Sequence, residues 1–438
     1  MNISSRAEVT MSVAEYAQER FGNDKPFIRG LDTIPASGGI INPSDILALT
    51  NVVLSGWYTE HKECAKFNRE LCTFLHKKFG TLSNSGSSAS LLAVTGCSEF
   101  YTSGDYIITC ATGFPTTVAP IYQISKKPIY VDIDPETLAP SMEDIVRALE
   151  LHYGYVGGII LAHTLGFPFN EADLWDMKIG QYLIEDCCDA LGAETFYNGE
   201  WHPVGSLANA MTLSFFPAHQ ITSGEGGAVL VDDPDLHRVI ESYSNWGRDC
   251  WCLPGQSNTC GKRFEVEFDG LPEGWDHKYT FARLGYNLKM TEFQAALGNS
   301  QLGRFDFMLK ARQDNFSYLR SLLDTFSEYL MFVKVPKWSK PSPFGFPITV
   351  RDDMPFTAHE LIQYLERSKI TTRRVFGGNL TRQPAFRGLL YTKVSELKGS
   401  DKVMNDTFWI GIHDALRKEH LDYMVEIFWD FFRNKGLK

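Results

Sequence analysis

The 438-residue chain carries 53 acidic against 42 basic side chains, and the net charge of −11 argues against a nucleic-acid or anionic-membrane surface. With 44% hydrophobic and 22% charged residues it has the composition of a globular protein, long enough for one large domain and a smaller one. No apolar run reaches the length of a membrane span, and MNISSRAEVTMSVAEYAQERFG at the start lacks an apolar signal core, so a cytoplasmic location is expected, with the nine cysteines as free thiols or ligands rather than a disulfide framework.

Residues 1–40 read as a polar helix and an irregular arm, broken by Pro35 and the Gly38-Gly39 pair. Asn42-Pro43-Ser44 opens a helix to about Leu54, because Asn suits an N-cap and Pro the first turn. Ala65–Phe79 reads as a second helix, stopped by Gly80. Asn84-Ser85-Gly86-Ser87-Ser88-Ala89 is a small-residue turn opening the apolar helix through Leu91–Val94. Its backbone N–H groups suit an anion, though a Ser-rich N-cap explains the same residues.

Tyr106–Cys110 is a buried strand, and Phe114 lies just past its end. Strand and helix then alternate through Ile129–Ile133, Met142–Leu151, Gly157–Ala162 and Tyr182–Ile184. That alternation predicts an α/β fold with a mostly parallel sheet, binding ligands at the carboxyl ends of its strands. Tyr182–Ile184 runs into Glu185-Asp186-Cys187-Cys188-Asp189. Two β-rich runs, Met211–Phe216 and Ala228–Val231, flank a polar turn carrying His219 and the Gly224-Glu225-Gly226-Gly227 corner. On its own, His219 reads as a surface-loop histidine.

Three cysteines fall within eleven residues as Cys250-x-Cys252-x7-Cys260, in a Pro- and Gly-containing loop able to fold round a metal. The spacing is neither the usual zinc pair nor a ferredoxin run, so unrelated thiols account for it equally well. Beyond it, Gly285–Thr291 leads into an amphipathic helix from Phe293 to about Phe326, with Thr291 as N-cap. From residue 340 a small domain follows: strand Phe344–Val350, helix Thr357–Arg367, strand Ile370–Arg374 and helix His420–Phe432. Arg373, Asn379 and Arg382 in it are candidates to meet a pyrophosphate, against the commoner reading of solvated loop arginines.

SFFPAHQITSGEGGAVLV, SNWGRDCWC, NTCGKRF and DHKYTFARLGYNLKMTEFQAALG together resemble the DegT/StrS family of sugar aminotransferases, from about Pro26 onward. The resemblance implies the type I pyridoxal-phosphate fold: an arm at 1–40, a large cofactor domain at 41–310 with an iron–sulfur loop at 246–262, and a small α+β domain at 311–438. It places the cofactor phosphate on Gly86, Ser87 and Ser214, Phe114 on the pyridine ring, Asp186 on the pyridine nitrogen and Asp189 near the ring's 3′-oxygen. Asn287 is expected to reach the cofactor of a neighbouring subunit, implying a homodimer. His219 stands where the family has its Schiff-base lysine, which implies non-covalent pyridoxamine phosphate (PMP) and proton chemistry in place of transamination.

Within the family, the cysteine loop resembles the branch that removes the C3 hydroxyl of a nucleotide-linked 4-keto-6-deoxyhexose. That likeness implies a 2Fe–2S cluster on Cys188 (or its neighbour Cys187), Cys250, Cys252 and Cys260, fed with electrons from NADH by an iron–sulfur flavoprotein reductase. A cluster-free, glutamate-dependent dehydratase of the GDP-colitose type and a non-enzymatic regulator on the same fold are the alternatives.

Overall fold

Eight strands form the main sheet in the computed structural model, which describes residues 5–22, 26–101, 104–176, 181–252 and 254–437. Leu253 of the cysteine loop, and residues 1–4 and 23–25 of the expected arm, lie outside the described residues. Side by side, the strands are Phe79–Ser83, Gly227–Val231, Ala210–Ser214, Tyr182–Asp186, Val156–Ala162, Tyr106–Cys110, Lys127–Val131 and Thr392–Lys393. All pairings are parallel except the two made by Gly227–Val231. The mostly parallel sheet expected from the alternation is thus present.

The central strands are buried on both faces, and the period of two divides their side chains between two cores. Ile107, Ile160 and Ile184 pack with Leu92, Val94 and Ile240 of two helices on one face. Ile108, Ile159, Leu161 and Leu183 belong to the other core, which continues into Phe346, Phe408 and Phe428 of the C-terminal region. Burying each such side chain contributes about 1.5–3 kcal/mol. A second, antiparallel sheet runs Leu330–Phe332, Phe346–Val350, Thr407–Ile410, Thr372–Arg374, with helices Ala358–Arg367 and Lys418–Asn434 packed on one another beside it.

Two elements differ from expectation. The helix predicted to reach Phe79 spans Lys62–Phe74, and Phe79 opens the outermost strand of the main sheet. Gly80 is not a helix stop. It lies in the strand where a Cβ would stand 2.1 Å from Asn68 Oδ1 and 2.6 Å from Leu230 Cδ2, so its small size lets the helix pack close. The long helix expected from Phe293 is two helices, Glu292–Leu302 and Phe305–Leu323, followed by a 3-10 turn at Asp324–Phe326. Arg304 sits at the break, with its guanidinium donating to Asp45 Oδ1 at 2.8 Å and Oδ2 at 2.7 Å and to the Ile40 carbonyl at 2.6 Å. Thr291 caps the first helix as expected.

Candidate cofactor site and cysteine loop

Asp186 ends its strand at the carboxyl edge of the sheet, 7% exposed. Thr117 Oγ1 donates to Asp186 Oδ2 at 2.6 Å, and the Cys188 N–H donates to Oδ1 at 3.2 Å. Glu185, one residue earlier, meets His163 Nε2 at 2.7 Å and accepts from the Gly205 N–H at 2.9 Å. Alternation along the strand therefore leaves Asp186 for the ligand side while its neighbour is held in the interior.

The helix Gly86–Phe100 follows the outermost strand, three strands away, and is capped by Ser85, whose hydroxyl accepts from the Ser88 N–H. A Cβ on Gly86 would lie 2.4 Å from Ser214 Cβ and 2.8 Å from its hydroxyl oxygen. Any side chain there would close the notch, so glycine is required by approach rather than by dihedral angle. The notch joins the first-turn N–H groups of Gly86 and Ser87 to the Ser214 hydroxyl, a donor set that fits a phosphate. Phe114, 51% exposed, precedes the helix Pro115–Gln123 and meets Phe376 edge-to-face at 5.9 Å. The loop around Phe376 is fastened there, with the Gly377 N–H on Gly113 O and the Leu380 N–H on Ala111 O.

His219 lies beside Asp189, Nδ1 to Oδ1 3.5 Å, with its ring 5.2 Å from Phe344. Its Nδ1 is buried and makes no hydrogen bond within the chain. Burial drives the imidazole down to about 3, helped by the Arg312 charge; burial and the nearby Asp186 push Asp189 up to about 8. Both are therefore neutral near pH 7, and His219 is a free proton acceptor. Sequence reasoning missed Arg312, which no motif marks. It is 1% exposed and donates from Nη2 to His219 O and from Nη1 to Phe344 O, both at 3.2 Å, tying the His219 turn to the C-terminal region.

Asn287 is exposed and does not join these groups; Lys289 Nζ donates to its Oδ1 at 2.7 Å while lying 3.5 Å above the Trp246 ring. Asn379 and Arg382 both donate to Asp401 Oδ1 at 2.9 Å, so a carboxylate already occupies these candidates for a pyrophosphate. Arg373 donates to the neighbouring Thr372 carbonyl.

In the loop, Cys250 and Cys252 are buried side by side, the Cys252 N–H directed at Cys250 Sγ at 3.5 Å. Cys260 Sγ accepts from the Lys262 N–H at 3.4 Å. All nine cysteines are free thiols. Cys188 does not join the loop within the chain: it follows Asp186, and burial with Asp186 and Asp189 beside it pushes its thiol well up. Cys187 points into the core, 3.0 Å from where a Cβ on Gly205 would be.

Cys252 lines a cavity of about 260 Å³ with Glu60, Glu241, Lys289 and the outermost strand. Burial pushes Glu241 up to about 7, Glu60 adding to it. A carboxyl whose folded value exceeds its unfolded one keeps a proton that the unfolded chain has released, so its contribution falls as pH rises from ~4.5 to ~7 and is flat above. Glu241→Gln is therefore expected to gain stability over the parent as pH rises, by on the order of 2–3 kcal/mol at pH 8. Urea midpoints from pH 5 to 8 measure it; a pH-independent difference would mean that Glu241 is ionised when folded.

The chain belongs to the DegT/DnrJ/EryC1/StrS aminotransferase family, which matches residues 40–428. Among its relatives, the lipopolysaccharide biosynthesis protein RfbH of Salmonella typhimurium is 42% identical over 435 residues, 98% of each chain. The dTDP-4-dehydro-2,6-dideoxy-D-glucose 3-dehydratase of Saccharopolyspora spinosa is 39% identical over 435 residues, covering 98% of this chain and 92% of that one. In fold the chain is similar to E. coli GDP-4-keto-6-deoxy-D-mannose-3-dehydratase with bound hydrated PLP, with a TM-score of 0.80 at 24% identity, over 90% of this chain and 99% of that one.

Proposed function

We propose that the chain is a PMP-dependent nucleotide-sugar 3-dehydrase that also holds a 2Fe–2S cluster on its cysteine loop. Its substrate is a nucleotide-linked 4-keto-6-deoxyhexose, CDP-4-keto-6-deoxyglucose first among candidates, with the dTDP sugar as the alternative nucleotide. The enzyme works as a homodimer and takes electrons from NADH through an iron–sulfur flavoprotein reductase. The observation that carries the reading is His219: a half-buried, neutral imidazole whose Nδ1 makes no hydrogen bond within the chain, beside Asp189, on a chain of this family. The 39% identity to a sugar 3-dehydratase and the three cysteines on one loop support it.

The pocket fits PMP by its donor set. Gly86, Ser87 and Ser214 would hold the phosphate, Asp186 would accept from the pyridine N–H, and Phe114 would cover the ring. Bound PMP supplies an amine for the sugar ketone and a ring that spreads negative charge. His219 would take up a proton in the pocket and return it to the leaving hydroxyl, its Nδ1 being left without a hydrogen bond within the chain. Arg312 fixes the turn that aims it. Cys250, Cys252 and Cys260, once deprotonated, would hold the cluster, which supplies single electrons.

Anaerobic purification, absorption spectra and iron and sulfide analysis test the reading. About two irons and two sulfides per chain are expected, lost in Cys252→Ser. PMP absorption without iron after anaerobic reconstitution would instead favour the cluster-free, glutamate-dependent dehydratase.

A further inference from the structure

Resting on the reading of His219 above, we infer that Asp414 is the counter-charge of Arg312 and, through it, a positioning residue for the His219 imidazole. Arg312 lies on the helix Phe305–Leu323 and is 1% exposed. Its Nη1 and Nη2 donate to the carbonyls of Phe344 and His219, while its Nε is buried with no hydrogen-bond partner among the described residues. Carbonyls accept hydrogen bonds and bring no net charge. Burial pushes the guanidinium down only to about 10, so it stays charged at pH 7. A buried charge of that kind needs an anion beside it.

Among the described residues, the ionisable groups whose protonation Arg312 shifts are His219, His413 and Asp414. Both imidazoles are neutral at pH 7, because burial and then Arg312 hold His413 down at about 4 and His219 at about 3. That leaves Asp414. Burial pushes its carboxyl up, and Arg312 is the largest influence pulling it back; in turn, the Asp414 charge holds the guanidinium up.

The fold delivers Asp414 from two sides. Asn315 is three residues along the helix from Arg312 and so on the same face. Its Nδ2 donates to the carbonyls of Ile412, His413 and Leu416, each at 3.2 Å, which pins residues 412–416 beside Arg312. On the other side, His413 Nε2 meets Pro35 O at 3.2 Å, and a Cβ on Gly411 would stand 2.3 Å from that oxygen. A Cβ on Gly39 would lie 3.5 Å from Asp414 Oδ1. Asp414 is therefore enclosed between the helix and residues 35–40, 7% exposed. Neither carboxylate oxygen makes a hydrogen bond of normal geometry, although the Ile40 amide lies beside them. The other cation near it, Arg304, is taken by Asp45. A charged donor and a charged acceptor are thus left for each other, joined by a small side-chain shift or a bridging water. When His219 takes up its proton, two positive charges meet at Arg312, and Asp414 supplies the negative charge that offsets them.

A double-mutant cycle on the full chain tests the pair with Asp414→Asn, Arg312→Met and both together. Urea midpoints are expected to fall in each single variant, which leaves one buried charge alone, and to recover in part in the double variant. Should Arg312→Met fail to fold by itself, folding of the double variant is the same result. Additive losses, or a double variant that folds no better than Arg312→Met, would overturn the pairing. Steady-state rates read the positioning role. Asp414→Asn should lower kcat about 10- to 100-fold with KM and PMP affinity within a few fold of the parent, and Asp414→Glu, which keeps the charge, should restore most of the rate. A kcat equal to the parent's, or one lost only in step with PMP binding, would overturn that role. A parent without 3-dehydrase activity would instead overturn the reading of His219, and the urea cycle would still decide the pairing.

Discussion

His219→Asn is expected to lower turnover by about 10²- to 10⁴-fold while leaving PMP binding within a few fold of the parent. The two effects separate because the residues placed at the phosphate and the ring, Gly86, Ser214, Phe114 and Asp186, stand on other elements and do not depend on the imidazole. The amide is close in shape and keeps the turn, whose backbone is set by the His219 N–H on Phe216 O and by Arg312 on His219 O. What it lacks is a basic nitrogen. Because burial and Arg312 hold His219 near 3, well below an ordinary imidazole, the parent should also show no loss of kcat/KM as pH falls through 6.5 toward 5 that is traceable to this residue. Steady-state rates across pH and a cofactor titration on both proteins check this. Loss of PMP binding in step with activity would make His219 a binding residue only. His219→Lys gives the complementary result: with added pyridoxal phosphate it should form a borohydride-reducible link that the parent cannot form.

The parts of the chain that were legible in sequence are those set by local chemistry. Tyr106–Cys110 was bounded correctly because a strand buried on both faces is an unbroken apolar run with turn residues at its ends. The caps at Asn42 and Thr291 announce their helices by side-chain type alone. What stayed hidden was set at long range. At the break, Arg304 is held by Asp45, 259 positions away along the chain. Gly80 reads as a stop and acts as a packing surface, because what it meets comes from Asn68 and Leu230. Arg312 looks like a solvated helix residue, and only the fold brings the His219 and Phe344 carbonyls to it. The same limit governs the cysteines. Spacing finds Cys250, Cys252 and Cys260, which share one short loop, but has no access to strand order, which puts Cys188 just past the end of an interior strand of the main sheet.

Asp186→Asn and Asp189→Asn should differ sharply, although the two carboxylates are three residues apart. Asp186 is held by hydroxyl and N–H donors: Thr117 on Oδ2, the Cys188 N–H on Oδ1, and Thr212 at 3.5 Å. As the partner proposed for the pyridine N–H, it acts through a full negative charge, and a neutral amide of the same shape cannot replace that. Removing such a preorganised charge is expected to cost about 10²- to 10³-fold in kcat/KM, roughly 3–4 kcal/mol, with weaker cofactor binding and a shifted cofactor absorption band. Asp189 is already protonated near pH 7, because burial and the Asp186 charge push it up to about 8. Its contact with the Leu165 N–H, Oδ2 at 3.1 Å, is one that an amide oxygen also makes. Asp189→Asn should therefore stay within about tenfold of the parent at pH 7, the difference widening above pH 8, where the parent carboxyl ionises and the amide cannot. Equal losses in the two variants would mean that Asp189 is charged in the working enzyme and pairs with a protonated His219, so that the base is the Asp189–His219 couple rather than a lone imidazole. Rates at pH 7 and 9, with cofactor spectra of both variants, decide between these.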